Sequence, residues 1–312
     1  MPWRKGNKLK LVPENEADER TRQIYNEIRS AFGIPNVHLI FQAFAAYPAF
    51  LQLHWRALKP AVASKGFFEL AERLRADAYT RMHNYFEVPD LCAQTAMVEL
   101  SEGAKEELTR TVDLCHYSAS LLLLVLAAQL QAFDTPVGQK TVGEKPSSHP
   151  TFADRPILVE DTGAPPQTRQ IYEEMRHVFD LPIIPTEYRA LARYPGFMKA
   201  YWDALRTVVQ SPVYEGCHYG VRETAFALAR EFPDSFDVNL SQLTEAGLSD
   251  EDVGSIVRIV EMLVNAMSGT ALNVAFAKIG MEGGSRRAKA SDREKLQPAK
   301  DASKHDTSKH VA

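Results

Sequence analysis

The sequence predicts an all-α protein made of two tandem, pseudo-symmetric helical repeats that form an intramolecular pseudo-dimer. Three observations predict it. First, the chain repeats itself: Thr21-Arg22-Gln23-Ile24-Tyr25 returns as Thr168-Arg169-Gln170-Ile171-Tyr172, and the same shift of 147 positions carries Tyr47-Pro48 onto Tyr194-Pro195, Phe50 onto Phe197 and Trp55 onto Trp202. Between 21 and 58 there are 17 identities in 38 positions without a gap. A unit that recurs at a fixed period is a structural unit used twice. Second, nearly every apolar pattern has helical period, and no run alternates as a strand would. Third, the two copies are separated by a stretch rich in proline.

The elements follow in order. Ile24, Tyr25, Ile28 and Phe32 share one helix face, and Gly33 and Pro35 end that helix. A second helix spans about 37–47. Pro48 suits the first turn of a third, which carries Trp55 and Leu58. A fourth runs from about Phe67 to Phe86, a short one falls within 89–100, and a long one covers about 104–133. The second copy repeats the plan at about 165–180, 185–194, 195–210, 216–231 and 249–279. Its last helix is capped by Ser249, with Asp252 three residues on and Gly280 closing it. The expected organisation is therefore a first repeat at 1–134, a Pro-rich linker at 135–164, a second repeat at 165–281 and a disordered tail at 282–312. The linker holds Pro136, Pro146, Pro150, Pro156 and the start of Pro165-Pro166. The tail is charged and almost free of large apolar groups.

With 312 residues, 45% hydrophobic and 24% charged, the composition is that of a globular protein with room for two domains. A net charge of −4 argues against a nucleic-acid partner. The longest apolar stretch, Ala119 to Ala128, falls short of the roughly 20 residues a bilayer span needs and reads as a buried core helix. The basic N-terminus has no apolar stretch behind it, so no secretory signal is expected. Three scattered cysteines, Cys92, Cys115 and Cys217, fit a reducing compartment, and the expected location is cytoplasmic.

No phosphate loop, GxSxG elbow, HExxH pair or CxxC occurs. Comparing the copies singles out three places. Thr186 and Glu187 stand where the first copy has Leu39 and Ile40. A carboxylate replacing an aliphatic side chain points where the other copy places core. Burial there raises its pKa toward a base's working range. The alternative is a capped helix start, Thr186 as cap and Glu187 in a first turn favoured by the helix dipole. Asn36 and His38 stand opposite Ile183 and Pro185. They read as pocket wall, or as an N-cap followed by a partly exposed helix residue. Cys115-His116-Tyr117-Ser118 lies opposite Leu263-Val264-Asn265-Ala266 in the long helix, and reads as a cavity lining or as a satisfied core network. Neighbouring residues on a helix point about 100° apart, so Cys115-His116 and Cys217-His218 are poor metal chelators.

The segments Pro35-Asn36-Val37-His38-Leu39 with Ala45-Ala46-Tyr47-Pro48, and Thr186-Glu187-Tyr188-Arg189-Ala190-Leu191-Ala192-Arg193-Tyr194-Pro195, together with the repeat, resemble the group I 2-haloacid dehalogenases, the DehI type, over about residues 15–280. The resemblance implies hydrolysis of short 2-haloalkanoic acids to 2-hydroxy acids by carboxylate-activated water, with inversion at C2, no covalent ester, no metal and no cofactor. The implied site lies between the repeats. The family's catalytic aspartate falls on Glu187 and the serine before it on Thr186. An aromatic pair of the pocket falls on Asn36 and Leu39. An Asn-Tyr-Gly-Asn stretch falls on His116, Tyr117, Ser118 and Ala119. The expected set is thus Glu187 as base, with Thr186, Tyr117, Asn36, His38, Leu39, His116 and Ala119 around the substrate. The alternative is a DehI-like protein that binds a small carboxylic acid without dehalogenating it, or catalyses another reaction. The fold is also reminiscent of carboxymuconolactone decarboxylase and alkylhydroperoxidase-type proteins, whose peroxidase version needs the missing CxxC. The partner is a small molecule, and a homodimer is left open.

Overall fold

A computed structural model describes residues 9–93, 100–138 and 149–285. Among these residues there are eleven α-helices and no β-strand, only two isolated bridges, Val88 with Ser285 and Val137 with Phe236. The helices are α1 (Glu19–Phe32), α2 (Leu39–Phe44), α3 (Pro48–Val62), α4 (Lys65–Tyr85), α5 (Glu102–Ala132), α6 (Pro166–Phe179), α7 (Thr186–Leu191), α8 (Pro195–Val209), α9 (Pro212–Ala229), α10 (Leu240–Glu245) and α11 (Asp250–Met281).

Helix starts follow local chemistry. Asp18, Ser64, Ser101 and Ser249 accept backbone N–H groups of the first turns they cap, and Ser249 with Asp252 forms a reciprocal capping box. Pro48, Pro166, Pro195 and Pro212 each sit in a first turn, where a missing N–H costs nothing. Gly33 closes α1 at φ 64° and Asp180 closes α6 at φ 49°, both left-handed.

Long helices α5 and α11 pack against each other at the centre, with α4 and α9 on both of them. Both are long and apolar enough to cross a membrane by length and composition. However, 94% and 78% of their apolar windows lie buried inside the protein. This is why α5 has little amphipathicity: Leu121 to Ala128 meets protein on every side.

The two halves share individual bonds. Tyr25 donates to the Val12 carbonyl at 2.8 Å and Tyr172 to that of Val159 at 2.9 Å. Trp55 donates to Glu27 at 2.8 Å and Trp202 to Glu174 at 2.7 Å. Arg22 reaches the Ala17 carbonyl, and Arg169 that of Ala164. Val12 N–H bonds to Gln42 and Val159 N–H to Arg189, both at 3.0 Å.

Several expectations are corrected. Gly280 lies inside α11, which runs on to Met281 with Glu282 as its cap. Helix α10 went unforeseen; it is a six-residue helix fixed by the Asn239–Gln242 capping box rather than by an apolar stripe. The second helix of each copy is shorter than expected, six residues in both. Residues 94–99 of the expected short helix, and the tail from 286, lie outside the described residues.

Candidate active site

The first turns of the short helices α2 and α7 meet through His38 and Glu187. His38 is the N-cap of α2, and its Nδ1 accepts the Ile40 N–H at 3.3 Å. The ring proton therefore sits on Nε2, which donates to Glu187 Oε2 at 3.2 Å and lies 3.2 Å from Oε1. Glu187 is the second residue of α7, carried after Pro185. Both side chains are almost fully buried, Glu187 at 2% exposure. The bond joins residues 149 positions apart, one from each half.

Burial pushes the Glu187 carboxyl upward. His38 at hydrogen-bond distance, the residue's own backbone N–H and Arg189 pull it down, and the balance lies below the usual carboxylate range. Glu187 is therefore ionised at neutral pH. Its Oε1 has no hydrogen-bond partner, and neither has the Thr186 hydroxyl. A buried acceptor without a donor is costly unless something fills the gap.

Both residues line a cavity of about 30 Å³, together with Asn36, His38, Cys115 and Ser118 among others. That volume suits one or two waters. The cavity contains no Lys or Arg. Leu114 and Pro156 separate it from an outer chamber of about 230 Å³, which they also line and which holds Arg110 and Arg155 beside Glu107, Asp113 and Asp154.

The structure thus brings together Asn36, His38, Thr186 and Glu187 of the expected set. Asn36 is tied at the rim, where its Oδ1 accepts from Arg155 Nε at 2.6 Å. His38 is a buried cap rather than an exposed helix residue, and Asn36 is not the cap. Thr186 is the first helical residue, Pro185 occupies the cap position, and no side chain caps α7. The remaining four lie off this cavity's wall. Leu39 is core. Tyr117 donates to the Phe32 carbonyl at 3.0 Å and faces a separate cavity beside α4. His116 packs near the Tyr79 ring, and Ala119 is fully buried. The cause is helical phase: Leu114, Cys115 and Ser118 share the face of α5 turned to Glu187, and intervening positions turn away. Cys115 and Ser118 belonged to the polar run noticed in the sequence, but alignment alone could not phase the helix.

Cys115 donates weakly to the Glu187 carbonyl at 4.0 Å. Burial and the Glu187 charge push its thiol well above the usual range, so it is no ready nucleophile.

The family model described as halocarboxylic acid dehydrogenase DehI matches residues 35–181, which include both α2 and the cap of α6. An (R)-2-haloacid dehalogenase of Pseudomonas putida is 23% identical over 279 residues, covering 86% of this chain and 92% of the relative. An (R)-2-haloacid dehalogenase of Rhizobium sp. (strain NHG3) is 24% identical over 228 residues, 72% of this chain and 89% of the relative. A configuration-inverting 2-haloacid dehalogenase of Pseudomonas sp. (strain 113) is 22% identical over 241 residues, 72% of this chain and 75% of the relative. Among solved structures, a D-2-haloacid dehalogenase mutant in complex with D-2-CPA superposes with a TM-score of 0.84 at 23% identity, over 90% of this chain and 98% of that one. A D-2-haloacid dehalogenase complex with L-LA gives the same score and identity. Through the family model over residues 35–181 and relatives aligned along most of its length, this chain is similar to the DehI family.

Proposed function

We propose that the chain hydrolyses short 2-haloalkanoic acids to 2-hydroxy acids, with Glu187 as the general base. One observation carries this reading: a buried, ionised carboxylate is held by His38, whose Nε2 lies 3.2 Å from each of its oxygens, and it lines a water-sized cavity. A water there donates to Oε1. As Glu187 takes its proton, the oxygen attacks C2 opposite the halogen, the carbon–halogen bond breaks, and halide leaves with the bonding pair. Configuration at C2 inverts, and the proton passes from Glu187 to solvent. Thr186 Oγ1 and Ser118 supply polar contacts, while Leu114, Pro156 and Ala190 form apolar wall. Room for the acid comes from the outer chamber across Leu114 and Pro156.

The two halves are tandem repeats forming a pseudo-dimer, a reading supported by their matched bonds. By those bonds Val159 and Ala164 do in the second half what Val12 and Ala17 do in the first, so the second repeat begins before 165. Because each half supplies one member of the His38–Glu187 pair, a single chain completes the site and a homodimer is not required. Three free cysteines, two of them buried, suit the reducing cytoplasm.

The test is halide release from both enantiomers of 2-chloropropionate and 2-bromopropionate. Glu187→Gln is expected to lower turnover by about 10²–10⁴-fold with an unchanged circular dichroism spectrum. Undiminished turnover in that variant would remove Glu187 from the reaction. No release from folded wild type would point instead to a small carboxylic acid binder.

A further inference from the structure

We infer that His38 is a positioning residue that sets the reach of Glu187, holding its carboxylate at the wall of the cavity. This rests on the reading of Glu187 as base. A glutamate carries its carboxylate on two methylenes and swings about the bonds between them. Something must hold it. In the structure that restraint comes from the other half of the chain.

His38 is well placed for the task. Its Nδ1 is occupied by the Ile40 N–H, so the ring is anchored at the start of α2 and presents Nε2–H to Glu187. Nε2 lies 3.2 Å from each carboxylate oxygen, and its hydrogen bond is directed to Oε2. Flanking aliphatic residues leave the ring little freedom, since Val37, Leu39 and Ile40 are all buried. Having one proton, already given to Glu187, and no free lone pair, the ring holds the carboxylate and relays no proton. The repeat frame shows the device is local to this pair of positions: the cap equivalent to His38 is Pro185, and the place equivalent to Glu187 is Ile40. Other titratable groups facing Glu187 are Cys115 from α5 and Tyr188 and Arg189 on its own helix.

Three variants test this. Asparagine is a strong N-cap but too short to reach Glu187, so His38→Asn keeps the start of α2 and loses the restraint. Its kcat is expected to fall on the order of 10–100-fold, as a 1 Å misplacement would cause, with KM changed less than threefold. The acid limb of its kcat profile should move to higher pH, because a donor to the ionised form is gone. His38→Ala, lacking cap and donor, should add a loss of thermal stability. Glu187→Asp should be slower than wild type by at least tenfold, because the shorter arm leaves His38. If cap loss alone mattered, His38→Asn would match wild type and only His38→Ala would be impaired; that result overturns the inference. So would Glu187→Asp equal to or faster than wild type. Failure of the underlying reading looks different: Glu187→Gln would remain active. A ¹³C titration of the Glu187 carboxyl in wild type and His38→Asn needs no substrate. Coincident curves there also overturn the inference, even in a protein that releases no halide.

Discussion

At the scale of single residues, the buried imidazoles separate by what each has on its second nitrogen. His38 uses both nitrogens, one on α2 and one on Glu187. His54 bonds Gln129 through Nδ1 at 2.7 Å, while its Nε2 has no partner and faces a box of Phe41, Phe44, Phe50 and Phe236. Complete burial pushes His54 down to about 4, against an opposing pull from the Gln129 hydrogen bond. A folded-state pKa below the unfolded 6.5 means that the unfolded chain takes up the proton first as pH falls. His54 therefore costs no stability above about pH 6.5, and progressively destabilises the fold as pH drops from there to about 4. The full span is about 3 kcal/mol. Urea unfolding at pH 7 and pH 4.5 measures it. His54→Gln, which cannot titrate, is expected to lose less stability over that interval than wild type does.

At the scale of elements, α1 and α6 end alike although their caps differ chemically. Gly33 adopts φ 64° at no steric cost, and a Cβ there would lie 2.4 Å from the Pro150 carbonyl. Asp180 holds the equivalent left-handed conformation at φ 49° with a side chain attached. Gly33→Ala should thus destabilise by about 2 kcal/mol or more, adding the clash to the left-handed penalty. Asp180→Gly should stabilise by up to about 1 kcal/mol. Thermal melts read both, and equal and small shifts would show that the two caps bear no strain. The short helices α2 and α7 end differently, after six residues at the right-handed Ala45 and Ala192, and the chain then turns through Tyr47-Pro48 and Tyr194-Pro195 into the next helix. That brevity matters, because it brings their starts, and with them His38 and Glu187, to the junction.

For the whole molecule, the junction of halves is also its core. Helices α5 and α11, one from each half, pack along one another, and Leu121 to Ala128 of α5 are all fully buried. Separated halves would expose this surface, at about 1.5–3 kcal/mol for each large side chain uncovered. Residues 1–138 produced alone are expected to aggregate or remain unfolded, and co-production with 149–285 to restore a helical, halide-releasing complex. Sedimentation and circular dichroism distinguish these outcomes. A stable, monomeric first half would mean that the repeats are independent domains.

Most helix positions, the Ser249 cap and the prolines at helix starts were legible in the sequence, because 3.6-residue periodicity, capping chemistry and proline at helix starts act over a few residues. Glu187 was legible as well, by its contrast with Ile40 in a matching frame. The contacts that make Glu187 a site were not. Whether α5 turns Cys115 and Ser118 or His116 and Tyr117 toward it depends on the rotation of a helix that is buried on all sides from Leu114 to Gln129 and has no polar face there to fix its phase. Likewise the His38–Glu187 bond spans 149 positions, and such a distance is closed only when two halves dock. The sequence by itself determined most of the helices and which position carries the odd carboxylate. Tertiary packing alone decided what that carboxylate faces, because side-chain direction across an interface is set by the fit of one buried surface to another.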